Sequence, residues 1–388
     1  MTDSGPLPAG DRKLRVAFIT TSMIVGGQER VIMDVVNNMD RDRYDVALLL
    51  TKERGPLCDF VQDHVTVEHD FRRGSLGAFR AYPRLLSWMK KWKPDCVFTV
   101  GTGDKFFLGR LAAKRTGVPV IISGLHCTPG PEHVGRTILG KWNKKLMHLN
   151  HQVVTVTHDM ADYLAEHEGY PRELTTVIPN GVDMERYFPH EPPAELREEL
   201  GLPEGSKVAS IIAALRKEKR HDLFLQAARL VVNQIPEAKF LIVGDGPSRA
   251  EYEQQSKDLN LQDSVQFLGS RHDIPEIQAI SSVVCLASTD VESAPICMLE
   301  ALASGRPQVA TAIGGIPKII DDGVTGFLAP PGDVPALAEK ITTILADDNL
   351  AASMGKAARQ RGLDQFSVDS MVQGHEVLID RLYQQQTK

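Results

Sequence analysis

Two glutamates, Glu292 and Glu300, lie eight positions apart around a segment that is expected to open a helix. Ser293 can accept a hydrogen bond from a free amide of the first turn, and Pro295 needs no partner for its nitrogen there. The amides at the start of this predicted helix would be those of Ile296, Cys297 and Met298. Such amides bind phosphate, and carboxylates accept hydrogen bonds from hydroxyl groups. The pattern favours a phosphorylated ligand rich in hydroxyls, although two glutamates on a solvated helix face share this spacing.

A run of basic residues is a second candidate for binding phosphate. It follows the predicted strand Val208–Ile212 and contains Arg216, Lys217, Lys219 and Arg220. Arginine can hold two phosphate oxygens at once, and lysine supplies a compact positive charge. Ligands of parallel sheets bind beyond the carboxyl ends of the strands, so we expect Arg216 and Lys219 to contact phosphate. The alternative is a solvated charged face, which is the usual role of such runs.

Glycine turns follow other predicted strands. Gly26 and Gly27 separate the first strand from a helix, where backbone without side chains can approach a diphosphate closely. Gly246 ends a strand of the second half in the same way. Either turn can equally be a tight connection without a ligand. The first turn lacks the spacing G-x-G-x-x-G, so no dinucleotide site is predicted there.

Three further residues at strand ends complete the candidates. Ser270 and Arg271 follow the predicted strand Val265–Phe267 and can contact a base through backbone groups and a guanidinium. His126 follows the predicted strand Val118–Ile122, and a histidine there can donate to a hydroxyl or polarise a leaving group. A loop histidine that is merely solvated or locally hydrogen-bonded is the alternative.

The elements that must position these residues are two series of short apolar runs alternating with helical patterns. The first series is Val16–Thr20, Val46–Leu50, Cys96–Val100, Val118–Ile122 and Val153–Val156. The second is Val208–Ile212, Phe240–Val243, Val265–Phe267, Val283–Leu286 and Gln308–Ala310. Continuous apolar runs between helices are typical of parallel strands covered on both faces. The predicted fold class is therefore α/β, with two doubly wound units.

A connector rich in turn-forming residues separates the two series. It begins at Pro179–Asp183 and continues through Pro189, Pro192 and Pro193. Such a cluster fits a link between domains. From Phe366 onward the pattern is helical and long enough to pack back on the first domain. We expect domains at residues 1–183 and 184–365, followed by a terminal helix at 366–388.

Composition limits the function and the compartment. The 388 residues are 42% hydrophobic and 24% charged, as in soluble globular proteins of two or three domains. The net charge of −6 argues against nucleic acid as a partner. Five scattered cysteines without a C-x-x-C pair favour a reducing compartment and no structural zinc. With no apolar leader and no run of about 18 apolar residues, the expected location is cytoplasmic.

Four of these segments, in this order, resemble the family-four retaining glycosyltransferases, also described as glycosyl transferases group 1. They are Gly26-Gly27, the motif Ile178–Asp183, the basic loop ending at Lys219, and the E-x7-E block Glu292–Glu300 with its continuation through Gly314-Gly315 and Gly323–Ala329. The resemblance covers nearly the whole chain. It implies the GT-B architecture, in which two Rossmann-like domains face each other across a cleft. The first would bind the acceptor and the second the nucleotide-sugar donor.

The resemblance also implies residue roles. Gly27 and its neighbour would contact the donor diphosphate from the first domain, and Lys219 would bind it from the second. Glu300 would accept from the ribose hydroxyls, while Glu292 would face the transferred sugar. His126 would lie near the anomeric centre or the outer hydroxyls of that sugar.

The implied reaction moves a sugar from a nucleotide diphosphate, with UDP favoured, to a hydroxyl of a cell-envelope glycan or lipid-linked saccharide. Retention of configuration is expected. Neither a metal nor a cofactor is expected, because Arg216 and Lys219 would stabilise the leaving diphosphate. Three departures from the family pattern are Ala214 for arginine, Ser293-Ala294 for Gly-Phe, and Lys318 for an acidic residue. Two alternatives stay open: a non-catalytic nucleotide-sugar-binding regulatory relative, and a sugar-nucleotide epimerase on the same fold.

The predicted helix Arg136–Leu149 mixes basic and apolar residues. Such a helix can rest on an anionic membrane and bring a lipid-linked acceptor within reach. A surface helix with an inward apolar face is the alternative. The expected partners are a nucleotide sugar and a glycan or lipid-linked acceptor, with peripheral membrane contact through residues 136–149.

Overall fold

The computed structural model describes residues 12–24, 26–71, 77–101, 104–125, 145–290 and 292–388, without side chains at 77–79 and 104–107. The chain divides into two compact units. The first comprises Met1–Gly181 with Val368–Lys388, and the second comprises Val182–Ser367. Each unit contains one parallel sheet, so the α/β class with two doubly wound units is confirmed.

The first unit is built on a seven-stranded sheet in the order β3-β2-β1-β4-β5-β6-β7. The strands are β1 Leu14–Thr20, β2 Tyr44–Leu50, β3 Thr66–Glu68, β4 Cys96–Val100, β5 Val120–Leu125, β6 Gln152–Thr155 and β7 Thr175–Val177. The helices are α1 Gly27–Asn38, α2 Gly77–Trp92, α3 Asp104–Thr116, α4 His158–Tyr163 and, from the chain's end, α13 Val368–Thr387. The central strands are buried along their length, which explains their continuous apolar sequence.

The second unit has a six-stranded sheet in the order β10-β9-β8-β11-β12-β13. Its strands are β8 Val208–Ile212, β9 Lys239–Val243, β10 Val265–Gly269, β11 Val283–Leu286, β12 Gln308–Thr311 and β13 Gly326–Ala329. Its helices are α5 Ala194–Glu199, α6 His221–Val232, α7 Arg249–Asp258, α8 Ile274–Ile280, α9 Ile296–Ala303, α10 Ile316–Ile319, α11 Val334–Ala346 and α12 Asp348–Gln365. This is the Rossmann strand order, and the sheet reverses direction of winding between β8 and β11.

Three strands were absent from the sequence prediction: β3, β7 and β13. They lie at the edges of their sheets and are three or four residues long. The first two contain polar residues, and the third begins with glycine, so none forms a continuous apolar run. Edge strands are covered less completely than central ones, and the apolar signal weakens accordingly.

Helix α13 belongs to the first unit although it follows the second in sequence. Its Asp380 accepts a hydrogen bond of 2.7 Å from the hydroxyl of Tyr44 and pairs with the guanidinium of Arg43. The same guanidinium lies 3.5 Å from Glu376. The ring of His375 packs 5.5 Å from that of Phe98 in the central strand β4. These contacts anchor the last helix to the first sheet.

Among the residues that the structure describes, no helix is both long enough and apolar enough to cross a membrane.

Candidate functional site

The candidate site of the second unit lies where its sheet changes winding direction. The basic loop follows β8, and the segment containing Glu292 follows β11, which is the next strand in the sheet. A crevice forms at such a point because the loops of neighbouring strands turn to opposite faces of the sheet. The topology therefore brings together two segments that are more than 70 residues apart, as the separation of 73 between Lys219 and Glu292 shows.

Lys219 and Glu292 form an ion pair at this point, with Nζ 2.5 Å from Oε1. The hydroxyl of Ser288 donates to the same oxygen at 2.6 Å. The Glu292 side chain is only 6% exposed, whereas that of Lys219 is 24% exposed. The buried carboxylate is therefore held by two donors, and the amine still reaches solvent, where a phosphate could meet it. Sequence reasoning gave these residues separate roles, and the structure joins them.

Arg220 braces the basic loop against the segment that carries Glu292. Its guanidinium donates to both oxygens of Asp222, at 2.9 and 2.8 Å, and to the hydroxyl of Thr289 at 3.1 Å. The paired contact with Asp222 raises the pKa of Arg220. Its backbone has φ of 51°, a left-handed conformation that is unfavourable for a residue with a side chain. This turn ends the short helix Lys217–Lys219 and places Lys219 next to Glu292.

The backbone of Glu292 is fixed by the glycine pair that follows β12. Its carbonyl accepts a hydrogen bond of 2.9 Å from the amide of Gly315. A Cβ atom at Gly314 would lie 1.8 Å from that carbonyl oxygen, and Gly314 has φ of +48°. Glycine is therefore required at 314 for both space and backbone conformation. The Gly314-Gly315 pair supports the acidic segment directly.

Glu300 lies on the second turn of α9 and is 8% exposed. The hydroxyl of Tyr187 donates to its Oε1 at 2.6 Å. Burial raises the pKa of the neighbouring Cys297 to about 12, so its thiol is protonated at neutral pH and is no nucleophile.

The start of helix α9 differs from the prediction. The helix begins at Ile296, its N-cap is Pro295, and no side chain caps it, so the role assigned to Ser293 was wrong. The backbone at Pro295 is extended, with ψ of 120°, so the N-cap position lies two residues after Ser293, the residue expected for a cap. The amide of Met298 bonds to the carbonyl of Pro295 at 3.0 Å. Of the three amides predicted to face an anion, those of Ile296 and Cys297 come first in the helix.

Gly246 lies against the basic loop, as its place at a strand end suggested. A Cβ atom there would lie 2.5 Å from the carbonyl oxygen of Leu215, so the two turns approach more closely than a side chain allows. The amide of Leu215 donates to the carbonyl of Asp245 at 3.0 Å. Arg216 follows and is exposed to solvent. Ala214, also exposed, leaves no cation at that place in the loop.

Arg271 is bound within the protein. Its guanidinium pairs with Asp273 at 2.6 Å and with Glu199 at 2.6 Å, which raises the pKa of Arg271. The same contact lowers the pKa of Asp273. A base contact through this guanidinium, as expected from the sequence, would require these ion pairs to open. Ser270 beside it is exposed.

The remaining predicted positions belong to the first unit. Gly26 is extended, with φ of −167°, and Gly27 opens helix α1 directly after it. His126 and residues 136–144 of the predicted basic helix lie outside the described residues. The described end of that helix contains a short 3₁₀ turn at Met147–Leu149.

Sequence reasoning missed Ser288, Tyr187 and Thr289 as parts of the site. Ser288 lies four positions before Glu292, so a serine between a strand end and a candidate acid was an available signal. Tyr187 is 113 residues from Glu300, and no local pattern connects the two. Thr289 accepts a hydrogen bond from Arg220 of the basic loop across a separation of 69 residues.

Each unit is matched over most of its length by the model of one sequence family. Residues 25–186 match the family described as Glycosyltransferase Family 4, and residues 193–361 match Glycosyl transferases group 1. The chain belongs to the family-four glycosyltransferases. The resemblance noted in the sequence is thereby confirmed, and the enzyme class is that of a glycosyltransferase.

Relatives of this glycosyltransferase include two bacterial enzymes. It is 32% identical to the N-acetyl-alpha-D-glucosaminyl L-malate synthase of Bacillus anthracis, over 59% of this chain and 58% of that enzyme. It is 29% identical to the UDP-Gal:alpha-D-GlcNAc-diphosphoundecaprenol alpha-1,3-galactosyltransferase of Escherichia coli, over 92% of this chain and 94% of the other.

Its fold resembles that of Anabaena HepE, whose crystal structure contains UDP-glucose. The TM-score is 0.82 with 26% identity, and the match covers 94% of this chain and 99% of HepE. The fold class predicted from the sequence, GT-B with two Rossmann-like units, is confirmed by this likeness.

Proposed function

We propose that this glycosyltransferase moves a sugar, with retention of configuration, from a nucleoside-diphosphate sugar to a hydroxyl of a cell-envelope glycan or lipid-linked saccharide. UDP is the favoured nucleotide. The observation that carries the proposal is the Lys219–Glu292 pair at the winding reversal of the second sheet. A cation and a carboxylate lie there side by side, as a ligand with phosphates and hydroxyls requires.

Lys219 is the proposed ligand of the diphosphate. Only one of the three N–H groups of an ammonium is needed for Glu292, so others can donate to phosphate oxygens. Arg216, exposed in the same loop, is proposed as a second phosphate ligand in place of the arginine absent at Ala214. The start of α9 adds the amides of Ile296 and Cys297. Glu292 is proposed to accept from the sugar and Glu300 from the ribose.

The proposed chemistry needs no covalent intermediate. The bond between the anomeric carbon and the diphosphate oxygen breaks, a bond to the acceptor oxygen forms on the same face, and the acceptor proton passes to the released diphosphate. Lys219 and Arg216 would stabilise the negative charge that grows on the leaving group, which is the part a divalent metal plays elsewhere. We therefore propose that activity survives removal of divalent metals.

The names of the relatives support the choice of substrates. The Escherichia coli relative is named for UDP-galactose and for an acceptor carried on diphosphoundecaprenol, and it is matched over 94% of its length. HepE was crystallised with UDP and with UDP-glucose. The Bacillus anthracis relative is named as an L-malate synthase, so a small hydroxylated molecule is a further acceptor to include in an assay.

Replacing Lys219 or Glu292 by alanine tests the proposed site. Each change removes a group that would act on the reacting sugar or its leaving group, so transfer from a UDP-sugar should fall by about 100-fold or more. Lys217→Ala is the matched control, because this lysine lies in the same short helix and is exposed. The assay is product formation in EDTA. Near wild-type rates in both site variants, with folding verified by circular dichroism, would refute the assignment.

A non-catalytic relative is the second candidate, and Ala214 is the observation that favours it. A loop lacking one cation can still bind a nucleotide sugar while stabilising the leaving group poorly. Such a protein would bind UDP-sugars in a thermal-shift assay but neither transfer nor hydrolyse them. Conversion of the donor without any acceptor would instead indicate an epimerase.

Peripheral membrane contact through residues 136–149 is proposed as a route to a lipid-linked acceptor. Vesicles containing anionic lipid should sediment the protein at low salt and release it as salt rises. Absence of binding at low salt would refute the contact.

A further inference from the structure

We propose that Tyr187 is a positioning residue for ribose recognition and acts by orienting the carboxylate of Glu300. The inference rests on the proposed function, in which Glu300 accepts from the ribose hydroxyls. Tyr187 itself need not touch the nucleotide. It lies just after Val182, where the second unit begins, and reaches Glu300 through the interior of that unit.

The contact between the two side chains is short and shielded from water. The phenol hydroxyl of Tyr187 donates to Oε1 of Glu300 at 2.6 Å. Tyr187 is 2% exposed and Glu300 is 8% exposed. A hydrogen bond from a hydroxyl to a carboxylate is about twice as strong as one between neutral groups, and it strengthens where the surroundings are apolar. This bond therefore restricts how the Glu300 carboxylate can rotate.

The backbone that carries Tyr187 is itself fixed to the helix of Glu300. The Nη1 atom of Arg359 donates to the carbonyl of Tyr187 at 2.8 Å and to that of Ala303, the last residue of α9, at 2.7 Å. Its Nη2 atom donates to the carbonyl of Met184 at 3.1 Å. One guanidinium thus ties the segment before Pro189 to the end of α9. Arg359 therefore holds the backbone of Tyr187, the donor, next to the helix that carries Glu300, the acceptor.

The aromatic ring of Tyr187 cannot turn away from Glu300 easily. It is packed in an apolar cluster with residues of the same helix, including Leu299, Leu302 and Ala303. The guanidinium of Arg186 lies 5.5 Å from the centre of the ring. Apolar packing alone would be satisfied equally by phenylalanine, so the hydroxyl is the part of this side chain that serves Glu300.

A fixed carboxylate has a selective effect on ligands. Binding of two neighbouring hydroxyls requires the oxygens of Glu300 in one orientation, and a carboxylate that rotates loses part of that affinity to disorder. A ligand without the ribose hydroxyls gains nothing from that orientation. Loss of the Tyr187 hydroxyl should therefore weaken UDP but not 2′,3′-dideoxy-UDP.

The experiment measures the Kd of UDP and of 2′,3′-dideoxy-UDP by calorimetry for wild type and Tyr187→Phe. We expect Tyr187→Phe to raise the Kd of UDP about 10-fold and to leave that of the dideoxy compound within about 2-fold. Glu300→Gln and the double variant complete a cycle. If Tyr187 acts through Glu300, adding Tyr187→Phe to Glu300→Gln should change the Kd of UDP little.

Tyr44→Phe is the matched control, because Tyr44 makes the same kind of bond in the other unit. Its hydroxyl donates to the buried carboxylate of Asp380 at 2.7 Å. Tyr44→Phe removes an equivalent hydrogen bond. It therefore shows whether the loss of any buried tyrosine hydroxyl changes nucleotide binding. We expect Tyr44→Phe to leave the Kd of both nucleotides unchanged.

The outcomes separate this role from the proposed function. Equal weakening of both nucleotides by Tyr187→Phe, or no weakening of either, would overturn the positioning role while wild-type binding of UDP upheld the donor site. A wild type that binds UDP and its dideoxy analogue equally would show that Glu300 does not read the ribose, and would also overturn it. A wild type that binds no nucleoside diphosphate would remove the proposed function and this role together.

Discussion

At the scale of single residues, the Oε1 atom of Glu292 receives hydrogen bonds from both Lys219 and Ser288. The two donors differ in exposure, since Ser288 is fully buried and Lys219 is not. A ligand phosphate can therefore draw the lysine away, whereas the serine stays. We therefore propose that Ser288 keeps the Glu292 carboxylate in place when Lys219 binds a ligand phosphate. Its own carbonyl accepts a hydrogen bond from the hydroxyl of Thr311, which ties this arrangement to β12.

Ser288→Ala should lower kcat/KM for transfer about 10-fold, because one hydrogen bond to the carboxylate is lost and little volume changes. The comparison is with Ser281→Ala. Ser281 is also buried and donates to a carbonyl at 2.7 Å, but it bonds to Ser210 and Ile277. The measurement is kcat/KM of each of the two variants by steady-state kinetics, and we expect the loss only in Ser288→Ala. If both serine variants lose the same activity, Ser288 contributes to folding and not to the position of Glu292.

At the scale of elements, the turn after β12 supports the segment after β11. Gly314 lies under the carbonyl of Glu292, and the contact leaves no room for a Cβ atom. The position of the acid therefore depends on a turn from a different part of the chain. A substitution in the turn at Gly314 should therefore displace Glu292, although the two residues are not neighbours in the sequence.

Gly314→Ala should lower the free energy of unfolding by roughly 3 kcal/mol and abolish transfer. The left-handed backbone contributes about 1 kcal/mol of this, and the clash with Glu292 contributes the rest. Gly332→Ala separates the two terms, since Gly332 has φ of +79° but nothing within 4 Å of a built Cβ atom. Urea unfolding should show a loss of only about 1 kcal/mol for this control. Equal losses in the two variants would contradict the role of the Gly314 contact.

At the scale of the whole molecule, each unit contains a buried histidine that resists protonation. Burial lowers the pKa of His375, in the first unit, and of His221, in the second, to about 4 in each case. A histidine whose pKa is depressed in the folded state binds its proton more readily after unfolding. Its contribution to stability is therefore complete above pH 6.5 and is lost as the pH falls from 6.5 toward 4.

His375→Gln should make the free energy of unfolding of the first unit fall less steeply as the pH is lowered, and should leave that of the second unit unchanged. The difference in unfolding free energy between wild type and variant should shrink by up to about 1.4 kcal/mol for each pH unit below 6.5. Burial raises the pKa of Glu376 on the same helix, an effect of opposite sign, but it is common to both proteins and cancels in the difference. Urea unfolding from pH 7.5 to 4.5 provides the measurement. A difference independent of pH would show that the pKa of His375 is the same in the folded and unfolded protein, and would contradict the depressed value.

The pattern of residues along the chain was enough to predict the α/β class and the presence of two parallel-sheet units, and it singled out the charged residues of the candidate site. Parallel strands buried on both faces require continuous apolar runs, so the central strands were readable. Lys219, Glu292 and Glu300 follow such runs or open the next helix, where function is expected in α/β proteins. Edge strands such as Thr66–Glu68 escaped because three residues form no run.

Which of these residues contact each other depends on the tertiary structure. The bond of Lys219 to Glu292 and that of Tyr187 to Glu300 span 73 and 113 residues, and side-chain contacts at such separations follow from sheet order and helix packing. The start of α9 at Ile296, after an extended Pro295, also left Ser293 without the capping role its type suggested. Residue type and spacing show which groups are present. Long-range packing decides which oxygen each group contacts, because that choice depends on the path of the backbone through the fold.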